Sequence, residues 1–459
     1  MCKHFRWLGI SGLILLSAVL SGCGGTGSAP AVDSTLARPA AQTPVSSSGT
    51  RDDFASKGKT LNWPELGFDA GHSGYNLHET ILSASNVSDL QHTWSTSASG
   101  AIQGVDAMVE DGGLIFVESG GSGSYDVTAV KASDGTPVWT SQPLDLNGAY
   151  PMGIAAGSGL VFVGCNVSGQ GMCAFKQSNG RLAWFHGVSS FQVPPAYANG
   201  LVFFNMSTNC ENCVSEVALN AKTGAVVWAD GGWDAAAGVA AIANGTVYFT
   251  CGPVNGTVNL CAFNASSGAS QWEWTPPASM NVSSSVAVSV ANGVAYLVLN
   301  LNSSPSGYSY QQALVAINAK TGATIWTFYE PGNGVNGNWG NALPAAATKS
   351  SVYWVGGDTA MYALNAKTGT QLWANVDAPC YFQTSPSIAN GVVYAIPTVG
   401  CNQSEALGAS TGAELWLAPG SDGTAPNGSV SPPIILNGTL YAQCWALCAY
   451  NLPTPRRHR

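Results

Sequence analysis

Charge is what this chain has least of. Asp, Glu, Lys and Arg make up 9% of its 459 residues, against about 25% in an ordinary soluble domain. From residue 61 to residue 455 the basic residues are only Lys131, Lys176, Arg181, Lys222, Lys320, Lys349 and Lys367. Phosphate backbones are held by clustered positive charge, so DNA and RNA are excluded as partners. The tail Arg456, Arg457, His458, Arg459 is too short to change that. Catalytic signatures are missing as well. There is no H-E-x-x-H, no G-x-S-x-G elbow, no C-x-x-C-H and no Cys-Cys dipeptide. His72, His78, His92 and His186 are read as structural or exposed. Cys210-Glu-Asn-Cys213 is a single C-x-x-C without a second half, which argues against zinc. No apolar run reaches the roughly 20 residues of a membrane-spanning helix.

What is abundant is glycine (55) and tryptophan (15), the composition of many short strands joined by tight turns, so the fold class is all-β. At the amino terminus Lys3 and Arg6 precede a 13-residue apolar run, Leu8 to Leu20, with the dimensions of an export signal. The following Leu20-Ser21-Gly22-Cys23 resembles the lipobox of bacterial lipoproteins. That resemblance implies a signal peptide over 1–22, lipidation at Cys23 and, with Gly24 next, retention at the outer membrane. The anchor would be the chain's only contact with a membrane, on its periplasmic face or at the cell surface. Residues 23–60, rich in Ser, Thr, Ala, Pro and Gly, read as a flexible tether. Cleavage would leave 14 basic against 25 acidic residues, net −11. Ten further cysteines in an exported chain point to disulfides. The local pairs are Cys165 with Cys173, Cys210 with Cys213, Cys251 with Cys261, Cys380 with Cys401, and Cys444 with Cys448.

The chain is built on a repeat. Aligned on tryptophan, the copies are AVKASDGTPVW, AFKQSNGRLAW, ALNAKTGAVVW, AFNASSGASQW, AINAKTGATIW, ALNAKTGTQLW and ALGASTGAELW, ending at Trp139, Trp184, Trp228, Trp272, Trp326, Trp373 and Trp416. Their spacings of 45, 44, 44, 54, 47 and 43 residues suit a four-stranded propeller blade. Between tryptophans recur Asn-Gly turns followed by apolar strands, as at 198–204, 243–249, 389–394 and 436–441. Trp94 stands one period ahead of the first copy without a preceding hairpin, and Leu440 to Asn451 form a hairpin without a following tryptophan. Joined, these ends make a composite blade. The expectation is an eight-bladed β-propeller over 61–452, its last blade closed by the amino-terminal strand, with a basic tail at 453–459. Each tryptophan is expected to dock its blade onto the next.

The motif Ala-x-Asn/Asp-x-x-Thr/Ser-Gly-x-x-x-Trp resembles that of the quinoprotein-type, or PQQ-repeat-like, eight-bladed propellers. The lead-in Asn62-Trp63-Pro64, Gly67-Phe68-Asp69, Gly74-Tyr75-Asn76, Asn86-Val87, Leu90 and Trp94 shares the likeness. The resemblance implies one of two classes. One is dehydrogenases that hold pyrroloquinoline quinone and calcium in the central channel and oxidise alcohols or sugars. The other is non-enzymatic envelope lipoproteins, such as the propeller subunit of the outer-membrane β-barrel assembly machinery. The quinone is a tricarboxylate, and none of the seven cations belongs to a segment expected at the channel mouth. Only Asp106 and Asp234, both read as solvated or capping, approach it as calcium ligands. The expectation is therefore a binding or scaffolding module without cofactor, whose partner is an envelope protein or glycan. Its candidate face consists of Gln103, Asp106, Tyr150, Gln192, Trp233, Asp234, Asn338, Trp339, Tyr381 and Gln383, joined by Asn341 and Asn427. The segments Asn300–Gln312 and Phe328–Leu343 exceed the repeat and mark where a partner could bind.

Overall fold

The computed structural model describes residues 62–453, apart from 97–101, 103–104, 122–123, 146–152, 189, 192–193, 208–212, 235–239, 253–257, 303–309, 332–343, 376–380, 383, 400–404, 419–430 and 445. Eight antiparallel blades form a β-propeller. Blade 1 consists of Ala107–Asp111, Leu114–Gly121, Ser124–Lys131 and Pro137–Thr140, from the innermost strand A to the outermost strand D. The inner strands of blades 2 to 8 begin at Ile154, Ala196, Ala241, Val282, Ala346, Ser387 and Ile434. In blade 8, Gln91–Ser95 adds as strand D to Leu447–Asn451, so the ring closes between the two ends of the propeller sequence as the repeat count requires. Within each blade the A–B connection, and in blades 1 to 7 the C–D connection, is a tight turn at one end. We call that end the turn face and the opposite end the connection face.

Local chemistry explains both kinds of turn. The A–B turns place Asn199 and Gly200 at φ 51° and 79°, and Asn244 and Gly245 at 49° and 75°, the paired positive φ that Asn-Gly adopts cheaply. In the C–D turn of blade 3 the Asn220 side chain accepts from the backbone N–H of Lys222 and Thr223, at 3.1 and 3.2 Å. Gly224 then turns at φ +70°.

The same turn is half of the joint between blades. A Cβ on Gly224 would lie 2.7 Å from the Trp184 ring, and Trp184 Nε1 donates to Ala221 O at 2.9 Å. Trp228 repeats this on Gly268 and Ala265, and Trp139, Trp272, Trp326 and Trp373 on the blades that follow them. Trp416 donates to Leu90 O, and Trp94 packs under Gly135. Ala218 lies in register between Phe203 and Trp228, and its small side chain lets the two rings approach to 6.1 Å. Trp228→Ala removes a side chain only 9% exposed and orphans the Ala265 carbonyl. It is expected to cost about 3–5 kcal/mol in chemical denaturation, and a loss under about 1 kcal/mol would contradict the docking role.

A second element unites the blades. Residues 63–76 run as a strap around the channel at the turn face and bond in succession to the inner strand of every blade. Trp63 exchanges two 2.8 Å hydrogen bonds with Glu110 of blade 1, and Ala156 N donates to Pro64 O at 2.8 Å. Tyr197 N donates to Glu65 Oε1 at 2.6 Å. Ile242, Val290, Ala347 and Ile388 donate to the carbonyls of Ala70, Gly71, Ser73 and Gly74 at 2.6–2.8 Å. Asn76 Nδ2 closes the series on Ile435 O of blade 8 at 2.8 Å. The inner strand of a blade has one edge facing the axis, and the strap satisfies backbone groups there that no neighbouring strand can reach.

So short a circuit needs tight bends. Gly67, Phe68, His72 and Gly74 all have positive φ, and a Cβ on Gly71 would lie 2.5 Å from Val290 O. Asp69 holds the bend by accepting from Gly71 N, Ser73 N and Ser73 Oγ. His72 is buried, with Nδ1 2.5 Å from Leu66 O and Nε2 2.8 Å from Ala240 O.

Two segments singled out in the sequence are partly strand. Asn300–Gln312 is not all loop: Val294–Asn302 and Tyr310–Asn318 pair along their whole length, and the added residues lengthen blade 5. Trp233 and Asp234 do not lead into an inner strand. They end the outer strand Val226–Asp234 of blade 3, paired with Val214 and Cys213, because the sheet of that blade runs longer toward the connection face.

Candidate functional site

The candidate residues are described by the structure only in part. Gln103, Tyr150, Gln192, Asn338, Trp339, Gln383, Asn341 and Asn427 lie outside the described residues. So do the side chains of Trp233, Asp234 and Tyr381, although Tyr381 is placed on a short strand paired with Val399. Asp106 is half-buried at the start of the inner strand of blade 1, and its N–H donates to Glu118 O at 3.0 Å. Cys23 and the tether also lie outside the described residues.

Beneath the connection face, and along the strap at the turn face, the structure assembles a feature that the sequence reading did not find. Among the described residues, five buried glutamates each have a second carboxyl as their charged neighbour and no cation. Glu118 is fully buried, accepts from Gly153 N at 3.0 Å and faces the charge of Asp106. Its other oxygen has no hydrogen-bond partner among the described residues. In blade 3, Glu216 pairs in register with Asp230, and its Oε2 is buried without a partner. Between blades 5 and 6, Glu330 Oε1 accepts from Gln312 N at 2.5 Å and Oε2 from Asp358 N at 3.1 Å. Tyr362 Oη donates to Asp358. Near the strap stand Glu65 with Asp69 and Glu110 with Asp111.

Burial raises all five, because an ionised carboxyl out of water is costly, and the neighbouring carboxyl adds to the rise. Glu330 is pushed up to about 8 and Glu110 to about 7, and Glu65, Glu118 and Glu216 also rise well above the ordinary range. In each pair burial and the second carboxyl thus favour the protonated form of the glutamate. Burial lowers His72 in turn, against the pull of its two carbonyl acceptors and of Asp69.

Three disulfides staple B–C hairpins toward the same face: Cys165–Cys173, Cys251–Cys261 and Cys444–Cys448. The pairings of Cys210 with Cys213 and of Cys380 with Cys401 fall outside the described residues. Among the described residues one trio of ligand-type side chains converges, Cys251, Cys261 and Glu273, and its two sulfurs are bonded to each other.

Among the described residues the connection face supplies no Lys or Arg of the kind that would pair with a quinone tricarboxylate. All seven cations of the body are exposed, at or beside turns of the turn face. The connection face offers carboxyls in their place, distributed over separate blades. Among the described residues no helix is long and apolar enough to cross a membrane.

Comparison with known proteins agrees with the geometry. The family model described as outer membrane protein assembly factor BamB matches residues 79–193, 123–303, 212–336 and 310–454. Tetrathionate hydrolase of Acidithiobacillus ferrooxidans is 27% identical over 244 residues, 47% of this chain and 46% of that protein. The chain thus spans about half the length of this curated relative. The crystal structure of BamB from Moraxella catarrhalis superposes with a TM-score of 0.54 at 15% identity, over 81% of this chain and 99% of that one. Quinohemoprotein alcohol dehydrogenase from Comamonas testosteroni gives 0.62 at 14% identity, over 87% and 82%. At such identities the two structures share the fold with this chain.

Proposed function

The chain belongs to the PQQ-repeat propeller family described as outer membrane protein assembly factor BamB, and from that premise we propose that it is an envelope lipoprotein acting as a binding or scaffolding module. Cys23 carries its lipid, and the connection face meets a protein or glycan partner. The observation that supports this reading over a quinone-dependent dehydrogenase is the distribution of charge. Every Lys and Arg of the body lies toward the turn face, so a tricarboxylate at the connection face would find no fixed cation to pair with. Aromatic and amide side chains in the connections suit an adaptable contact.

The test is reconstitution. Purified chain incubated with calcium and pyrroloquinoline quinone is expected to take up no stoichiometric chromophore and to reduce no dye with alcohols or sugars. Crosslinking in the envelope should recover one defined partner. Stoichiometric quinone uptake would overturn the reading.

The identity to tetrathionate hydrolase supports a second reading, hydrolysis of a sulfur-chain anion at this face. Consumption of tetrathionate by the purified chain, followed from acidic to neutral pH, separates the two readings.

A further inference from the structure

We propose that the turn face of the propeller is a contact surface for an anionic lipid membrane. The proposal rests on the envelope reading above and adds an orientation to it. Three independent observations converge on that face.

The first is charge. Seven exposed cations lie there, Lys222, Lys320 and Lys367 at the same place in the C–D turns of blades 3, 5 and 6, against three exposed acids, Asp89, Asp134 and Glu414. The opposite face carries acids and no Lys or Arg. A molecule with net negative charge thus presents one face on which cations outnumber anions, and that arrangement orients it against a negative surface.

The second is exposed apolar surface in the same places. Val226, Ile325 and Leu372 open the outer strands just after those lysine turns and are 51%, 43% and 51% exposed. Leu77 and Ile81 follow the strap and are 60% and 51% exposed, with Ile81 against the A–B turn of blade 8. Exposed aliphatics interleaved with lysines are the composition of surfaces that seat in a headgroup layer. A partner rich in acidic side chains would use the lysines but leave the aliphatics in water.

The third is the path of the chain. Asn62 and Trp63 join the body beside the A–B turn of blade 1, where Trp63 pairs with Glu110. The described chain ends after strand Leu447–Asn451, also at the turn face, ahead of Arg456, Arg457 and Arg459. A lipid on Cys23 would therefore be connected to the face whose charge and apolar side chains suit a membrane. With the body already tethered, modest affinity suffices to hold that orientation, because the second contact is intramolecular. The connection face is then directed away from the bilayer, toward the partner.

The test uses the unlipidated chain beginning at Gly24, which keeps the whole compact unit from Lys59 onward. It is sedimented with vesicles of phosphatidylcholine alone and with phosphatidylglycerol added, at low and high salt. Binding to the anionic vesicles at least about tenfold stronger than to the neutral ones, and weakened by salt, is expected. The variant Lys222→Glu with Lys320→Glu and Lys367→Glu should lose about tenfold or more. Leu77→Asp with Ile81→Asp should weaken binding even at low salt. Equal affinity for neutral vesicles, or anionic binding that the triple reversal leaves unchanged, would overturn the proposal. Mass analysis of Cys23 in the exported chain reports separately on the lipoprotein reading, so failure of one is distinguishable from failure of the other.

Discussion

The melting temperature of this protein is expected to rise as pH falls from 8 toward 5. For a carboxyl raised in the folded state, the proton is held by the native chain and released by the unfolded one between the two pKa values. Its contribution is fully present below the unfolded value and is lost as pH rises through the folded one. For Glu330 that window runs from 4.5 to about 8, and for Glu110 from 4.5 to about 7. Each such group gives a slope of about 1.4 kcal/mol per pH unit inside its window. Glu65, Glu118 and Glu216 act in the same direction. His72 and His186, lowered by burial, act in the opposite one. Their contribution is present above the unfolded value and is lost as pH falls through the folded one. Burial raises Asp69 and Asp126 as well, and these seven acids outweigh two imidazoles, so the maximum is placed on the acid side of neutrality. Thermal denaturation at half-unit steps of pH reads the slope. Glu330→Gln should flatten it, because an amide keeps the shape without the proton. Stability that is level or increases from pH 5 to pH 8 would contradict the burial of these carboxyls.

A chain beginning at Leu77 is expected to lose more than about 5 kcal/mol, or to fail to close its ring. The strap buries Trp63 to 1% exposure, and removing such a side chain costs about 3–5 kcal/mol. Deletion also leaves inner-strand N–H groups of seven blades without the carbonyl or carboxyl oxygen that now receives them, and buried donors left unmade cost about 1–3 kcal/mol each. Gly71→Ala is the graded version: the added Cβ meets the Val290 carbonyl at 2.5 Å, and neither backbone can yield without breaking the hydrogen bond between them. Urea denaturation followed by tryptophan fluorescence measures both variants. If the truncated chain keeps its stability within about 1 kcal/mol, the strap is an ornament of the channel rather than its lock.

Most of the scaffold was legible because its rules are local and repeated. Gly224 is needed by a turn that has positive φ and by the ring of Trp184 that lies against it. Both demands recur with every blade, so the period of the motif counted the blades. Disulfides such as Cys165–Cys173 were legible for the same reason, since both cysteines belong to one hairpin. The strap was legible only as a likeness in its residues. Pro64 and Asn76 are twelve positions apart, yet they bond to blades 2 and 8, and no local pattern encodes a circuit of the channel. The buried glutamates were illegible altogether. Glu216 alternates with hydrophobic neighbours as an exposed strand residue would, and its burial is decided by the adjacent blade.

Sequence by itself thus determined the architecture: strand class, blade number, closure by the amino-terminal strand, and the joint between each tryptophan and the next glycine. The placement of the lysines in repeat turns was legible as well, and only the tertiary structure decided which carboxyls are buried. It enclosed five carboxyl pairs without a cation, and drew one short segment past all eight inner strands. The physical reason is range. Turn geometry and ring stacking act between near neighbours and recur with the repeat, whereas burial and electrostatic environment are properties of the closed ring, set by contacts between residues far apart in the chain.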